Sequence, residues 1–406
     1  MEIAGRIGEL VPRVAAERVA ALAVEARERM KLRHAPLLLV REMARHTTHR
    51  GLVAETLERV IQRADELSEF VAIYWAGGRQ PLSAQVKKGL AAAFVKFDEY
   101  ALAKYDRAGA VRLRDVLFLS HARPVDAAQA ALWKRLAENE LATPDTWEVA
   151  LSATGRAEGE HAKREAWERL LAERKLGALA LLRNLRNLHT AQVSEELVLA
   201  ALAAMKTDRV LPFRFLAAAR VAPQWEQALE AAMFRSLEGR TRNPGKLAGH
   251  TVLLVDVSGS MEAALSQRSE MRRTDAAYGL AILLREIAEK ATIYTFSNEA
   301  RLVPSRRGMA LRDAMEKSQA HQGTYLGEAL KKVEGDCRQG YDRLVVITDE
   351  QSHDRVPAPS GKGYAINVAS NRNGVGYGAW THIDGWSEAV VEYIAALEGG
   401  EGDVAA

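Results

Sequence analysis

The sequence predicts two modules of different class, an all-α helical repeat followed by an α/β domain with a parallel sheet. Three observations carry this prediction. Up to about residue 239, apolar residues recur at i, i+3, i+4 and i+7, with only short punctuation between the helical stretches. After residue 246, short apolar runs alternate with helical patterns, the order that builds a sheet covered on both faces. Between the two stands a polar Pro/Gly stretch, Thr241-Arg242-Asn243-Pro244-Gly245-Lys246, read here as a linker. The domains are accordingly assigned as 1–245 and 246–400.

In the first module the expected helices are Pro12–Arg33, Pro36–His46, Leu52–Ala64, Ser83–Tyr105, Val125–Asn139, Glu160–Arg174, Ser194–Ala204, Pro212–Arg220 and Gln224–Leu237. Loops such as Arg123-Pro124 and Ala222-Pro223 separate them, because proline cannot continue a helix from its interior. Helices of this length joined by short loops suggest stacked antiparallel pairs. In the second module the expected strands are His250–Val257, Ala291–Phe296, Arg343–Thr348 and Tyr364–Ala369. The expected helices there are Thr274–Lys290, Met309–Lys317, Tyr325–Asp336 and Trp386–Leu397, with a frayed tail from Glu398 onward.

With 406 residues the chain has ample material for two cores, and 48% hydrophobic against 27% charged residues excludes a disordered chain. The single cysteine, Cys337, excludes an intrachain disulfide and a multi-cysteine zinc site. No apolar run approaches a membrane span, and the first residues lack the pattern of an export signal, so a soluble, cytoplasmic protein without membrane partners is expected. The net charge of +3 divides unevenly: residues 1–250 carry 39 basic and 31 acidic side chains, the remainder 17 and 22. That division suits an anionic partner for the first module and a cation for the second, although a swing of this size also arises by chance.

The second module offers the cation site. Its first strand runs into Asp256-Val257-Ser258-Gly259-Ser260, another strand ends in Asp349, and a loop supplies Thr324 just before a helix. Ligands of open α/β sheets bind beyond the carboxyl ends of the strands, where these five side chains gather. Two carboxylates and three hydroxyls form an all-oxygen set suited to Mg²⁺, with Mn²⁺ as the alternative. Each of the five matches, in order, the metal-ion-dependent adhesion site of von Willebrand factor A domains, which the chain resembles over about 249–397. The resemblance implies a docking point at which a partner protein's carboxylate completes the metal shell.

The first module offers the anion site. Lys104, Arg107, Arg112, Arg114, His121 and Arg123 fall within about twenty residues, with Tyr105 among them. Such a set supplies phosphate contacts beside a stacking surface, or else a plain solvated face. Lys87, Lys88 and Arg183 are further candidates, with surface or structural roles as the alternative. His46 and His49, three apart, read as a solvated helix terminus rather than a metal pair. No phosphate loop, nucleophile elbow, zinc-protease helix or paired-carboxylate motif is found, so a non-enzyme is expected.

The motifs Arg114-Asp115-Val116-Leu117 through Leu119-Ser120-His121 and Pro124, Thr146–Ser152, Leu179–Leu185 and Leu211–Leu216 are similar to those of the Ro autoantigen family. In that family a TROVE module precedes a von Willebrand factor A domain, and this chain resembles a short bacterial- or phage-type member. The resemblance implies a ring of HEAT-type helical repeats that binds RNA, closed by the A domain. It implies a scaffold in RNA quality control or processing, with single-stranded 3′ ends of misfolded RNAs in a basic hole and a small Y-like noncoding RNA on the outer wall. Lys104 matches a hole-side position and His121 a Y RNA contact. A 3′ exonuclease is an implied partner and DNA is not. A metal-dependent protein-docking adaptor, or a subunit of a larger ribonucleoprotein particle, stands as the alternative.

Overall fold

The computed structural model describes residues 2–153, 159–208, 210–241, 247–265, 271–369, 378–387 and 389–400. The chain divides into two compact units, Met1–Val149 and Ala150–Ala406. No helix among the described residues is long and apolar enough to cross a membrane.

The first unit is helical, with α1 (Glu2–Leu10), α2 (Ala16–Glu28), α3 (His34–Arg45), α4 (Arg50–Val60), α5 (Asp65–Tyr74), α6 (Ala84–Phe94), α7 (Glu99–Tyr105), α8 (Leu113–Ser120) and α9 (Ala127–Glu138). α10 (Trp147–Ala153) begins at its end. Their apolar stripes meet in one core that includes Leu37, Leu57, Phe70, Phe94 and Trp133. α4 and α6 cross closely because Gly89 has no side chain: a Cβ there would lie 2.8 Å from the Ala54 carbonyl oxygen. A buried ion pair knits three elements, Arg27 Nη2 donating to Glu66 Oε1 at 2.6 Å while Glu66 Oε2 accepts from the backbone N–H groups of Gln62 and Arg63.

The single helix expected over 83–105 is two, α6 and α7. Asp98 ends the first turn of chain after α6 in an extended conformation and caps α7, accepting from Ala101 N at 2.8 Å. His49 does not belong to a solvated terminus: it is 2% exposed, with its ring nitrogens on Thr48 Oγ1 and the Val14 carbonyl.

In the second unit α11 (Gly159–Ala172), α12 (Ala178–Thr190), α13 (Glu195–Ala204), α14 (Pro212–Val221) and α15 (Glu226–Thr241) precede β1 (Leu247–Asp256). The expected linker lies, from residue 242 to 246, outside the described residues. There follow α16 (Arg273–Ile287), β2 (Ala288–Phe296), β3 (Ala300–Leu302), α17 (Gly308–Glu316), α18 (Leu326–Asp336), β4 (Arg343–Thr348), β5 (Lys362–Asn367), β6 (Thr381–Asp384) and α19 (Ala389–Gly400). The sheet has the order β3-β2-β1-β4-β5-β6, parallel except for the edge strand β3. β1 and β4 are neighbours at its centre, where the strand order reverses and the carboxyl ends leave a crevice.

α14 packs on α16, and α15 on both α16 and α17. The first contact is close because Gly279 faces Phe213, whose backbone nitrogen would be 2.7 Å from a Cβ at that position. Arg220 of α14 makes a two-pronged ion pair with the buried Asp275 of α16, at 2.5 and 2.6 Å. α19 runs to Gly400 rather than fraying at Glu398, because Glu398 accepts from Arg343 at 2.6 and 2.8 Å and from Tyr364 Oη at 3.0 Å.

Candidate metal centre and basic surface

The ends of β1 and β4 bring Asp256, Ser258, Ser260 and Asp349 into one neighbourhood, and a backbone bond ties to it the loop that carries Thr324. Asp256, the last residue of β1, is fully buried, as is Asp349, which directly follows β4. Asp256 Oδ1 accepts from Ser258 N at 2.8 Å and Oδ2 from Thr348 Oγ1 at 2.6 Å, which fixes the carboxylate. Ser258 Oγ and Ser260 Oγ lie 3.2 Å apart. Gly259 N donates to the Gln322 carbonyl at 2.9 Å, which ties the first loop to the one carrying Thr324. Thr324 is 3% exposed, and His353 N holds its carbonyl at 2.8 Å.

Burial, aided by the nearby charge of Asp349, pushes the Asp256 carboxyl up to about 7, against the lowering bonds from Ser258 and Thr348. Two buried carboxylates at one crevice need positive charge. Part of it comes from Arg273 at the start of α16, whose Nη1 donates to Asp349 Oδ2 at 2.6 Å and to the Ser260 carbonyl at 3.2 Å. The donor chemistry fits a hard divalent cation, which Asp256, Ser258, Ser260, Thr324 and Asp349 would hold. Arg273 escaped sequence reasoning, since nothing but a basic pair, Arg272-Arg273, marks a residue 76 positions from its carboxylate.

The basic candidates fall into separate groups. Lys104 Nζ lies 5.6 Å from the Tyr100 ring and 5.7 Å from the Tyr105 ring, and Arg63 stacks on Tyr105 from 4.8 Å. Lys87 Nζ is 3.5 Å from His121 Nε2, although the two are 34 residues apart. His121 is exposed in the left-handed conformation that ends α8, φ 54°. Beside Lys87 a cavity of about 410 Å³ is lined by Trp75, Arg79, Gln80, Pro81, Leu82 and Leu119, with Arg79 over the Trp75 ring at 4.8 Å. Trp75 and Arg79 were not singled out by sequence; Lys87 and Leu119, which complete the cavity with them, come from α6 and α8. Arg112 is engaged inside the unit, donating to Asn139 Oδ1 at 2.8 Å and Asp106 Oδ2 at 3.4 Å.

Lys88, Arg107 and Arg123 are exposed, and Arg114 is half-buried on α8. In the second unit Arg183 is exposed on α12, and after burial its charge is what lowers the affinity of Arg214 on α14 for its proton. The neighbouring Asn184 is buried, donating to the Ala180 carbonyl at 2.9 Å.

Residues 124–275 match the TROVE domain family, and residues 251–351 the von Willebrand factor type A domain family. No curated protein matches the chain. Among solved structures, the crystal structure of the Deinococcus radiodurans RO (RSR) protein is 20% identical, with a TM-score of 0.67, over 94% of this chain and 90% of that one. Two domain models thus match the chain in the order TROVE and then von Willebrand factor type A, and its fold is similar to that of the Deinococcus radiodurans RO (RSR) protein.

Proposed function

We propose that this chain is a Ro-like RNA-binding protein, a scaffold rather than an enzyme, whose RNA contacts reside in residues 1–245. The observation that carries the reading is the meeting of Lys87 with His121 beside the Trp75 and Arg79 cavity. Cationic groups next to an aromatic face suit a ribose-phosphate chain with unstacked bases, since phosphates take the charge and bases the ring. Lys104 between two tyrosines repeats that combination. Lys88, Arg107, Arg114, Arg123 and Arg183 add phosphate contacts, and Arg112 holds the loop before α8 in place. The favoured ligands are a small structured noncoding RNA of the Y type and the single-stranded 3′ ends of misfolded RNAs, with delivery to a 3′ exonuclease in the cytoplasm as the outcome.

The second domain, 246–400, is read as a docking module. Mg²⁺, or Mn²⁺, at Asp256, Ser258, Ser260, Thr324 and Asp349 would present an open coordination position to a carboxylate of a partner protein. Sequencing RNA that co-purifies with the full chain tests the proposal. Enrichment of small structured noncoding RNA supports it, and RNA no different from the total cellular pool counts against it.

A further inference from the structure

We propose that the outer edge of β2 is a docking site for an extended acidic segment of a partner protein, which joins the sheet as a strand beside Glu289 and Ala291. β2 runs from Ala288 to Phe296, yet β3 covers only its far end, where Leu302, Arg301 and Ala300 pair with Tyr294, Thr295 and Phe296. A last bond runs from Val303 N to the Ile293 carbonyl at 2.8 Å. Pro304 follows and has no N–H to offer, so the ladder stops there.

The parity of β2 shows which backbone groups are left open. Ile293 bonds outward to Val303, and Ser297 N bonds outward to the Glu299 carbonyl at 3.2 Å. The Phe296 carbonyl faces the other way, accepting from Val257 N beyond the end of β1 at 2.9 Å. Backbone groups alternate sides along a strand, so Ala291 and Glu289 share the outward parity of Ile293. Among the described residues no further strand pairs with them on that side. A groove of about 680 Å³ opens there instead, its lining including Glu289, Ala291, Leu302, Pro304, Arg306 and Arg307.

The charges of the groove select the occupant. Both acids in its lining are engaged: Glu286 pairs with Arg285 at 2.8 Å and with Arg307 at 2.6 Å, and Glu289 accepts from Gly249 N at 2.7 Å. Arg306 is exposed and has no acidic partner among the described residues. An incoming strand that carries carboxylates would meet this guanidinium beside open backbone groups, whereas a basic strand would be repelled. Leu302, 61% exposed, offers apolar contact to the alternate side chains. The edge is separate from the all-oxygen site, because Asp256 pairs with Phe296 at the opposite end of β2.

Fluorescence anisotropy tests this on the full chain, in chelator so that no divalent ion at the all-oxygen site captures a carboxylate. The probe is a labelled peptide of about six residues that alternates valine and glutamate, titrated to millimolar chain. Binding is expected, and Arg306→Glu, a change at an exposed position, should weaken it about tenfold or more. Lysine in place of glutamate should weaken the peptide equally. Of its two alternately N-methylated forms, the one that loses the N–H groups facing β2 should bind about tenfold more weakly and the other should not, the signature of a strand paired along one edge. The proposal is overturned if the peptide does not bind, if folded Arg306→Glu chain or the lysine peptide binds as well, or if the two methylated forms bind alike. Sedimentation that shows a second copy of the chain on this edge overturns it too.

Discussion

Arg273 Nη1 stands 2.6 Å from Asp349 Oδ2, so a carboxylate of the all-oxygen site already holds a cation supplied by the chain itself. The pair is largely buried, Arg273 being 16% and Asp349 0% exposed at the side chain. A divalent ion at the proposed site would compete with the arginine for one carboxylate, and the arginine offsets the repulsion between Asp256 and Asp349.

Replacing that arginine gives the first prediction. Arg273→Ala leaves two buried carboxylates without it, and breaking one partner of a buried pair costs about 3–5 kcal/mol. In chelator the variant should melt below the parent, and Mg²⁺ should raise its melting temperature more than it raises the parent's. An equal Mg²⁺ response in both proteins would remove Arg273 from the site.

Metal occupancy itself is tested by Asp256→Ala. An ion that binds only the folded chain stabilises it by about 2.7 kcal/mol at a hundredfold excess over Kd. Mg²⁺ or Mn²⁺ should raise the melting temperature of the parent and not of the variant. RNA affinity should be the same in both, because the RNA contacts are assigned to the helical part. Loss of RNA binding from folded Asp256→Ala protein would show that the two activities are coupled.

In the first unit the Arg27 and Glu66 pair predicts a stability effect with no metal involved. Glu66 is fully buried and each of its oxygens is occupied. Arg27→Ala should therefore cost about 3–5 kcal/mol in denaturant unfolding. A loss below about 1 kcal/mol would mean that water or a neighbouring cation takes over.

The close approach of α14 to α16 makes Gly279→Ala disruptive. The added Cβ would meet Phe213 at 2.6 to 2.9 Å, too near for any side-chain rotation to relieve at the backbone atoms. Overpacking of this kind costs about 1–3 kcal/mol. Urea unfolding followed by tryptophan fluorescence reports it through Trp386, whose ring meets Phe213 edge-on at 4.5 Å.

Much of this architecture was legible in residue order. The parallel strands β1, β2, β4 and β5 announce themselves as apolar runs because both their faces are buried, and the Asp-x-Ser-x-Ser motif marks the end of β1. The edge strands β3 and β6, three and four residues long, carry too little apolar periodicity to be seen. α5 and α8 were overlooked for another reason: α8 begins in the basic stretch that drew attention to charge. Juxtapositions across the chain were invisible. Arg273 beside Asp349 and Lys87 beside His121 depend on helix packing, which no local spacing encodes.

The central claim is RNA binding through unpaired segments, and anisotropy of a labelled duplex bearing a single-stranded 3′ tail measures it most directly. The titration is made at several salt concentrations on the full chain, beside the same duplex without a tail and beside a chain carrying Lys87→Ala, Trp75→Ala and His121→Ala. Binding should favour the tailed RNA and fall with salt at a slope of roughly −0.7 per phosphate contact. The triple variant should lose both slope and affinity, since stacking on one aromatic ring contributes about 1–3 kcal/mol. Equal affinity for blunt and tailed RNA, or binding indifferent to salt, would contradict the account.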